Sequence, residues 1–142
     1  MSFDVAVGDL AHAVGRLVRR VRTAAASSGI SWTESSVLNR LAKYGPSTTA
    51  ELARTQGMKP QSMGTVIAGL EEMGLVERKP HATDGRRVNL ELTEKGAALQ
   101  KSTSDTKRAW LAKKIATLSE EEQRTLFAAG ALMERLVEEE AQ

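Results

Sequence analysis

The sequence predicts a mainly α-helical fold that carries one two-stranded β hairpin. Three observations predict it. Apolar residues recur at helical spacing through most of the chain. A hydroxyl stands three residues before a glutamate at Ser31/Glu34 and Thr48/Glu51, the spacing of a capping box at a helix start. One stretch, "RVNLEL", alternates with the period of a half-buried strand and directly follows an Asp-Gly turn signal.

Leu10, Val14, Leu17, Val18 and Val21 share a helical face, which predicts a first helix from about Asp4 to Ala26. "SSGIS" breaks it. Ser31 caps a second helix with Val37, Leu38 and Leu41 inward, ended by Gly45-Pro46. Thr48 caps a short third helix, "TAELARTQ", closed at Gly57. Lys59-Pro60 opens a fourth, because proline in a first helical turn lacks only an N–H that would be unpaired there. Met63, Val66, Ile67, Leu70 and Met73 form its apolar stripe, Gly74 is its C-terminal stop, and Met58, Met63 and Met73 read as core filler. "LVERK" and "RVNLEL" form the hairpin, with Val88, Leu90 and Leu92 expected to face inward. Thr93 caps a fifth helix to about Thr117, with Trp110 packing between helices. Ser119 opens a sixth, with Leu126, Leu132, Met133, Leu136 and Val137 on one face.

Helix, helix, helix, hairpin is the order of a winged helix-turn-helix, here flanked by N- and C-terminal helices. With 142 residues the chain suits a single domain. The apolar sides of the flanking helices would leave a large exposed patch on a monomer, and a second copy would bury it.

Composition narrows the function. Without cysteine there are no disulfides, thiolate metal sites or thiol redox sensor. No apolar run approaches a membrane span, and "MSFDVAVGDL" lacks a signal-peptide pattern, so a cytoplasmic protein without membrane association is expected. The formal charge is only +2, but its distribution is uneven. "RLVRRVR" holds Arg16, Arg19, Arg20 and Arg22, and Arg78, Lys79, Arg86 and Arg87 cluster at the hairpin, whereas Ser119 to Gln142 holds seven glutamates against two arginines. Local basic patches of this kind suit a polyanion.

The fourth helix is the candidate recognition helix. Gln61, Ser62, Thr65 and Gly69 fall on its outward side, where amides and hydroxyls bond base edges or phosphates. The alternative is a solvated polar face, which its place between a short helix and a basic hairpin disfavours. Gly64 and Gly69 weaken this helix by about 1 kcal/mol each relative to alanine. Arginines at an exposed tip build no core, but a planar cation suits a narrow groove of negative potential. Asp84 would repel phosphate, so its expected work is to pair with Arg86 or Arg87 and hold the loop's shape.

The stretches "GPSTTAELA", "PQSM", "LEEMGLVER" and "DGRRVNLELTEKG" resemble the MarR (multiple antibiotic resistance regulator) family of winged-helix transcriptional regulators. Asp84, Arg86, Leu92, Thr93 and Gly96 match that family's wing signature. Two positions depart from it: Lys59 replaces the usual hydroxyl cap of the recognition helix, and Thr65 a frequent arginine. The resemblance implies a homodimer built by residues 1–30 and 97–142, with residues 31–96 binding DNA, together one MarR-type domain. It implies a pseudo-palindromic operator, a recognition helix in the major groove and the wing arginine in the minor groove. It also implies repression relieved by a small aromatic or phenolic effector, with no cofactor.

The expected DNA-binding set is Thr48, Thr49, Lys59, Pro60, Gln61, Ser62, Thr65, Arg78, Lys79, Asp84, Arg86 and Arg87. His12, Arg16 and Trp32 are the candidate effector contacts, although Trp32 also fits plain packing and the arginines of the first helix a solvated face. His12 and His81 have no local partner spacing for a metal. The rival function is a winged-helix protein-interaction module. No nucleophile–base set or phosphate-cradling loop supports an enzyme.

Overall fold

A computed structural model describes residues 1–26, 29–80 and 83–141. His81, weighed above as a metal ligand, lies outside the described residues. The elements run α1 (Phe3–Ala24), α2 (Trp32–Tyr44), α3 (Thr49–Thr55), α4 (Pro60–Glu72), β1 (Val76–Pro80), β2 (Val88–Leu92), α5 (Glu94–Ile115) and α6 (Glu120–Ala141). The chain divides into two compact units, Met1–Lys107 and Arg108–Gln142.

Local signals place the helices of the first unit. Ser31 Oγ accepts the Glu34 amide at 3.1 Å and Glu34 Oε1 accepts the Ser31 amide at 2.8 Å, so both halves of the capping box form. Thr48 and Glu51 repeat it on α3. Pro60 opens α4, and Lys59 before it makes no side-chain cap. Gly74, at φ 74°, stops that helix. There the Leu75 amide donates to the Leu70 carbonyl and the Gly74 amide to the Glu71 carbonyl, both at 2.9 Å, which is a Schellman motif.

The core collects Val37, Leu38 and Leu41 from α2, Leu52 and Ala53 from α3, and Met63, Ile67 and Leu70 from α4, closed by Leu75, Val76 and Leu90. Each large side chain among these contributes about 1.5–3 kcal/mol by leaving water. Met58, Val66 and Met73 pack against it, half-buried.

β1 and β2 pair antiparallel from Val76↔Leu92 to Pro80↔Val88. The other edge of β2 bridges to Ser47, whose amide donates to the Leu90 carbonyl at 3.3 Å and whose carbonyl accepts the Leu90 amide at 2.8 Å. The expected inward trio divides. Leu90 is buried and Leu92 half-buried, but Val88 is exposed. Val88 pairs with Pro80 at the outer end of the ladder, while Leu90 is the residue anchored to Ser47.

α5 starts on the end of α4. Thr93 Oγ1 accepts the Gly96 amide at 3.0 Å and donates to the Gly74 carbonyl at 2.6 Å, and Lys95 Nζ donates to the Met73 carbonyl at 2.8 Å. Thr93→Ala removes a helix cap and a tether together. A loss of about 1–2 kcal/mol is expected in urea unfolding, and an unchanged midpoint would show that the cap carries no stability.

No residue of α1 is buried, and Phe3, Val7, Leu10, Val14 and Leu17 stand exposed at alternating spacings of four and three. In the second unit Trp110 is half-buried with Lys114 Nζ 5.7 Å from its ring centre. Ser119 and Glu122 cap α6, which exposes Leu126, Phe127, Leu132, Met133, Leu136 and Val137. Among the described residues, no helix is long and apolar enough to cross a membrane.

Candidate nucleic-acid interface

On α4, Lys59, Pro60, Gln61, Ser62 and Thr65 are all exposed, opposite the buried Met63, Ile67 and Leu70. The Thr65 hydroxyl donates to the Gln61 carbonyl at 3.4 Å, and Gln61 is exposed. Gly69 departs from the expected outward position. It is half-buried, and a Cβ there would meet Glu34 Oε2 at 3.4 Å, because the first turn of α2 lies against it. Gly64 has open space around it.

The wing arginines and lysine separate by partner. Arg78 pairs with Glu71 of α4, its Nε at 3.0 and 3.1 Å from the two carboxylate oxygens. Lys79 bridges Glu77 at 3.4 Å and Glu91 at 3.1 Å. Glu77 and Glu91 are directly opposite across the ladder, and the ammonium offsets that like-charge pair. Glu91 first, then Glu77, hold Lys79 charged above the usual lysine range. At the tip, Asp84 Oδ1 accepts the Arg86 amide at 3.1 Å, and its carbonyl accepts the Arg87 amide at 3.0 Å. The Arg86 side chain is 94% exposed and reaches Asp84 only at 3.5 Å, an alignment worth well under about 1 kcal/mol. Thus Asp84 shapes the tip, as the sequence suggests, and Arg86 remains presented to solvent.

Arg87 behaves differently. Its guanidinium lies 3.0 Å from Glu51 Oε1 on α3. That oxygen also accepts the Thr48 amide at 3.2 Å and the Thr48 hydroxyl at 2.9 Å. The Thr48 hydroxyl and then the Thr48 amide lower the Glu51 pKa, burial opposes them, and Arg87 and Arg54 add weaker lowering effects. Thr48 and its neighbour Thr49 are half-buried at this junction. Sequence alone missed the role of Glu51 here, since its partner lies 36 residues away.

A second feature lies inside the first unit. A cavity of about 200 Å³ is lined by Arg22, Ile30, Trp32, Ser35, Thr103 and Lys107, among others. Arg22 and Lys107 stack on Trp32, at 4.7 and 4.6 Å from its ring centre. Arg22 stays exposed, as expected for the arginines of α1, while its guanidinium covers the Trp32 ring. Burial lowers the Lys107 pKa. Among the described residues, the buried Thr103 hydroxyl has no hydrogen-bond partner. Of the candidate effector contacts, Trp32 lines this cavity, whereas His12 and Arg16 are exposed on α1 outside it.

Three short helices, a polar recognition face and a cationic hairpin define a winged helix-turn-helix DNA-binding protein. Residues 28–87 match the model of the MarR family. The chain is 42% identical to an HTH-type transcriptional regulator of Mycobacterium bovis, over 92% of both chains. It is 35% identical to an HTH-type transcriptional repressor of Mycobacterium tuberculosis, over 85% of this chain and 88% of that one. Its fold is similar to RV1404 of Mycobacterium tuberculosis, with a TM-score of 0.81, 25% identity and coverage of 95% and 94%. It is also similar to a MarR family protein of Bacillus stearothermophilus, with a TM-score of 0.80, 20% identity and full coverage of both chains. The chain belongs to the MarR family, as its wing signature implied. It is a DNA-binding transcriptional regulator and not an enzyme.

Proposed function

We propose that the protein is a cytoplasmic homodimeric repressor that occupies a pseudo-palindromic operator and is released by a small aromatic or phenolic effector. The observation that carries this is the exposed Arg86 tip, together with an α4 whose Gln61, Ser62 and Thr65 are free of the core. Residues 31–96 read DNA, and residues 1–30 and 97–142 form the dimer. The exposed apolar stripes of α1 and α6 support a second copy as their cover, since apolar faces this long rarely stay in water on a monomer. Two recognition helices related by a two-fold axis would enter major grooves about 34–36 Å apart. The cavity beside Trp32 suits the effector. It offers an aromatic face, two flanking cations and the unsatisfied Thr103 hydroxyl.

Selection from random duplex DNA tests the operator, with light scattering for the oligomeric state. The expected result is a dimer that enriches an inverted repeat with half-sites one helical turn apart. A monomer, or no enrichment, would overturn it in favour of a protein-interaction module. Gln61→Ala is expected to relax preference at one base pair per half-site, at about 1–3 kcal/mol, with little change in salt dependence. A uniform loss across all sequences would instead assign Gln61 to a phosphate.

A further inference from the structure

Arg87 sits beside Arg86 at the tip, yet its side chain turns back to α3. The wing is thereby pinned twice to one short segment. The first pin is the backbone bridge between Leu90 and Ser47, with bonds of 3.3 and 2.8 Å. The second is the pair between Arg87 and Glu51, which lies on the tip side of that bridge. Arg78 of β1 also holds Glu71 of α4, but at the level of that bridge, so the Arg87 pair is the hold nearer the tip and limits the swing of the hairpin end. Glu51 is oriented in advance, because the same Oε1 already accepts two hydrogen bonds from Thr48. Pairing therefore orders little beyond the arginine itself, which keeps the entropy cost low. An unpaired carboxylate at the start of α3 would also repel approaching phosphates.

We propose that Arg87 is a positioning residue that clasps the wing to α3 through Glu51. It aims Arg86 and neutralises the Glu51 carboxylate, and it does not itself bind phosphate. This rests on the wing contacting DNA, as set out above. Arg86 and Arg87, adjacent and chemically identical, then have separate work: Arg86 makes the contact and Arg87 sets its direction.

The test is a double-mutant cycle of Arg87→Ala and Glu51→Gln, read by fluorescence anisotropy on the duplex selected by the parent protein. Glutamine retains the oxygen that the capping box needs, so α3 keeps its start. Circular dichroism confirms that each variant is folded. Arg87→Ala alone is expected to weaken binding about tenfold, and in the Glu51→Gln background less than about threefold, because the two residues act as one unit. The slope of log affinity against log salt should stay near that of the parent. Equal losses in both backgrounds, with the slope reduced by about one per wing, would identify a direct phosphate contact and overturn the proposal. No loss from Arg87→Ala would overturn it as well. If the parent selects no duplex, DNA contact by the wing fails and the proposal falls with it; if the parent binds and the effects are independent, the proposal alone fails.

Discussion

Replacing Arg86 with alanine is expected to weaken binding to every duplex by about tenfold or more, because the wing loses the cation it presents outward. The other basic residues of the hairpin cannot replace it without breaking bonds. Arg78 holds Glu71, Lys79 bridges Glu77 and Glu91, and Arg87 holds Glu51. Among the described residues, the Arg86 side chain reaches only Asp84, at 3.5 Å, and is 94% exposed. A guanidinium in a narrow minor groove meets concentrated negative potential and is more weakly hydrated than an ammonium. Arg86→Lys should therefore recover only part of the loss. A salt titration by anisotropy measures both effects. Parent-like affinity in Arg86→Ala would remove the wing from the DNA interface.

Much of this fold was legible because its signals are local. A hydroxyl and a glutamate three residues apart specify the starts of α2 and α3 without outside help, and both pairs form. The Gly74 stop is equally local, since a positive φ suits glycine and the turn satisfies carbonyls of its own helix. What could not be read depends on distant partners. The sequence shows four basic residues at the hairpin, but not which carboxylates claim them. Glu51 meets Arg87 because the Ser47 bridge brings the start of α3 to β2. Val88 follows the alternation and still faces water, because the ladder extends past the core that would cover it. Gly69 lies on the polar side of α4 by periodicity, yet α2 occupies that space. Similarly, Arg22 is exposed, as its run of arginines reads, but its stacking on Trp32 joins two elements and has no local signal.

Gly96→Ala is expected to be the most damaging single-methyl addition considered for this chain, at about 3 kcal/mol or more of stability, the upper end of overpacking costs. A Cβ on Gly96 would overlap the Leu75 carbonyl oxygen and lie 2.9 Å from its carbonyl carbon and 3.2 Å from its Cα. All three are backbone atoms, so no side chain can rotate away. Leu75 is held from both sides. Its amide donates to Leu70 in the turn that ends α4, and its carbonyl accepts the Thr93 amide at 3.1 Å. Relief would require lifting the first turn of α5 and breaking the bonds from Thr93 to Gly74 and from Lys95 to Met73. Helix propensity alone argues the other way, since alanine is favoured over glycine by about 1 kcal/mol in a helix interior. Gly64→Ala separates the two effects. Gly64 is also helical and has nothing within 4 Å of a new Cβ, so the same methyl should raise stability by about 0.5–1 kcal/mol there. Urea unfolding of both variants decides the matter. Opposite signs place the penalty in the close crossing of α5 over the end of the recognition helix; equal gains would mean that this crossing yields freely. With opposite signs, the end of α4 and the start of α5 behave as one rigid joint.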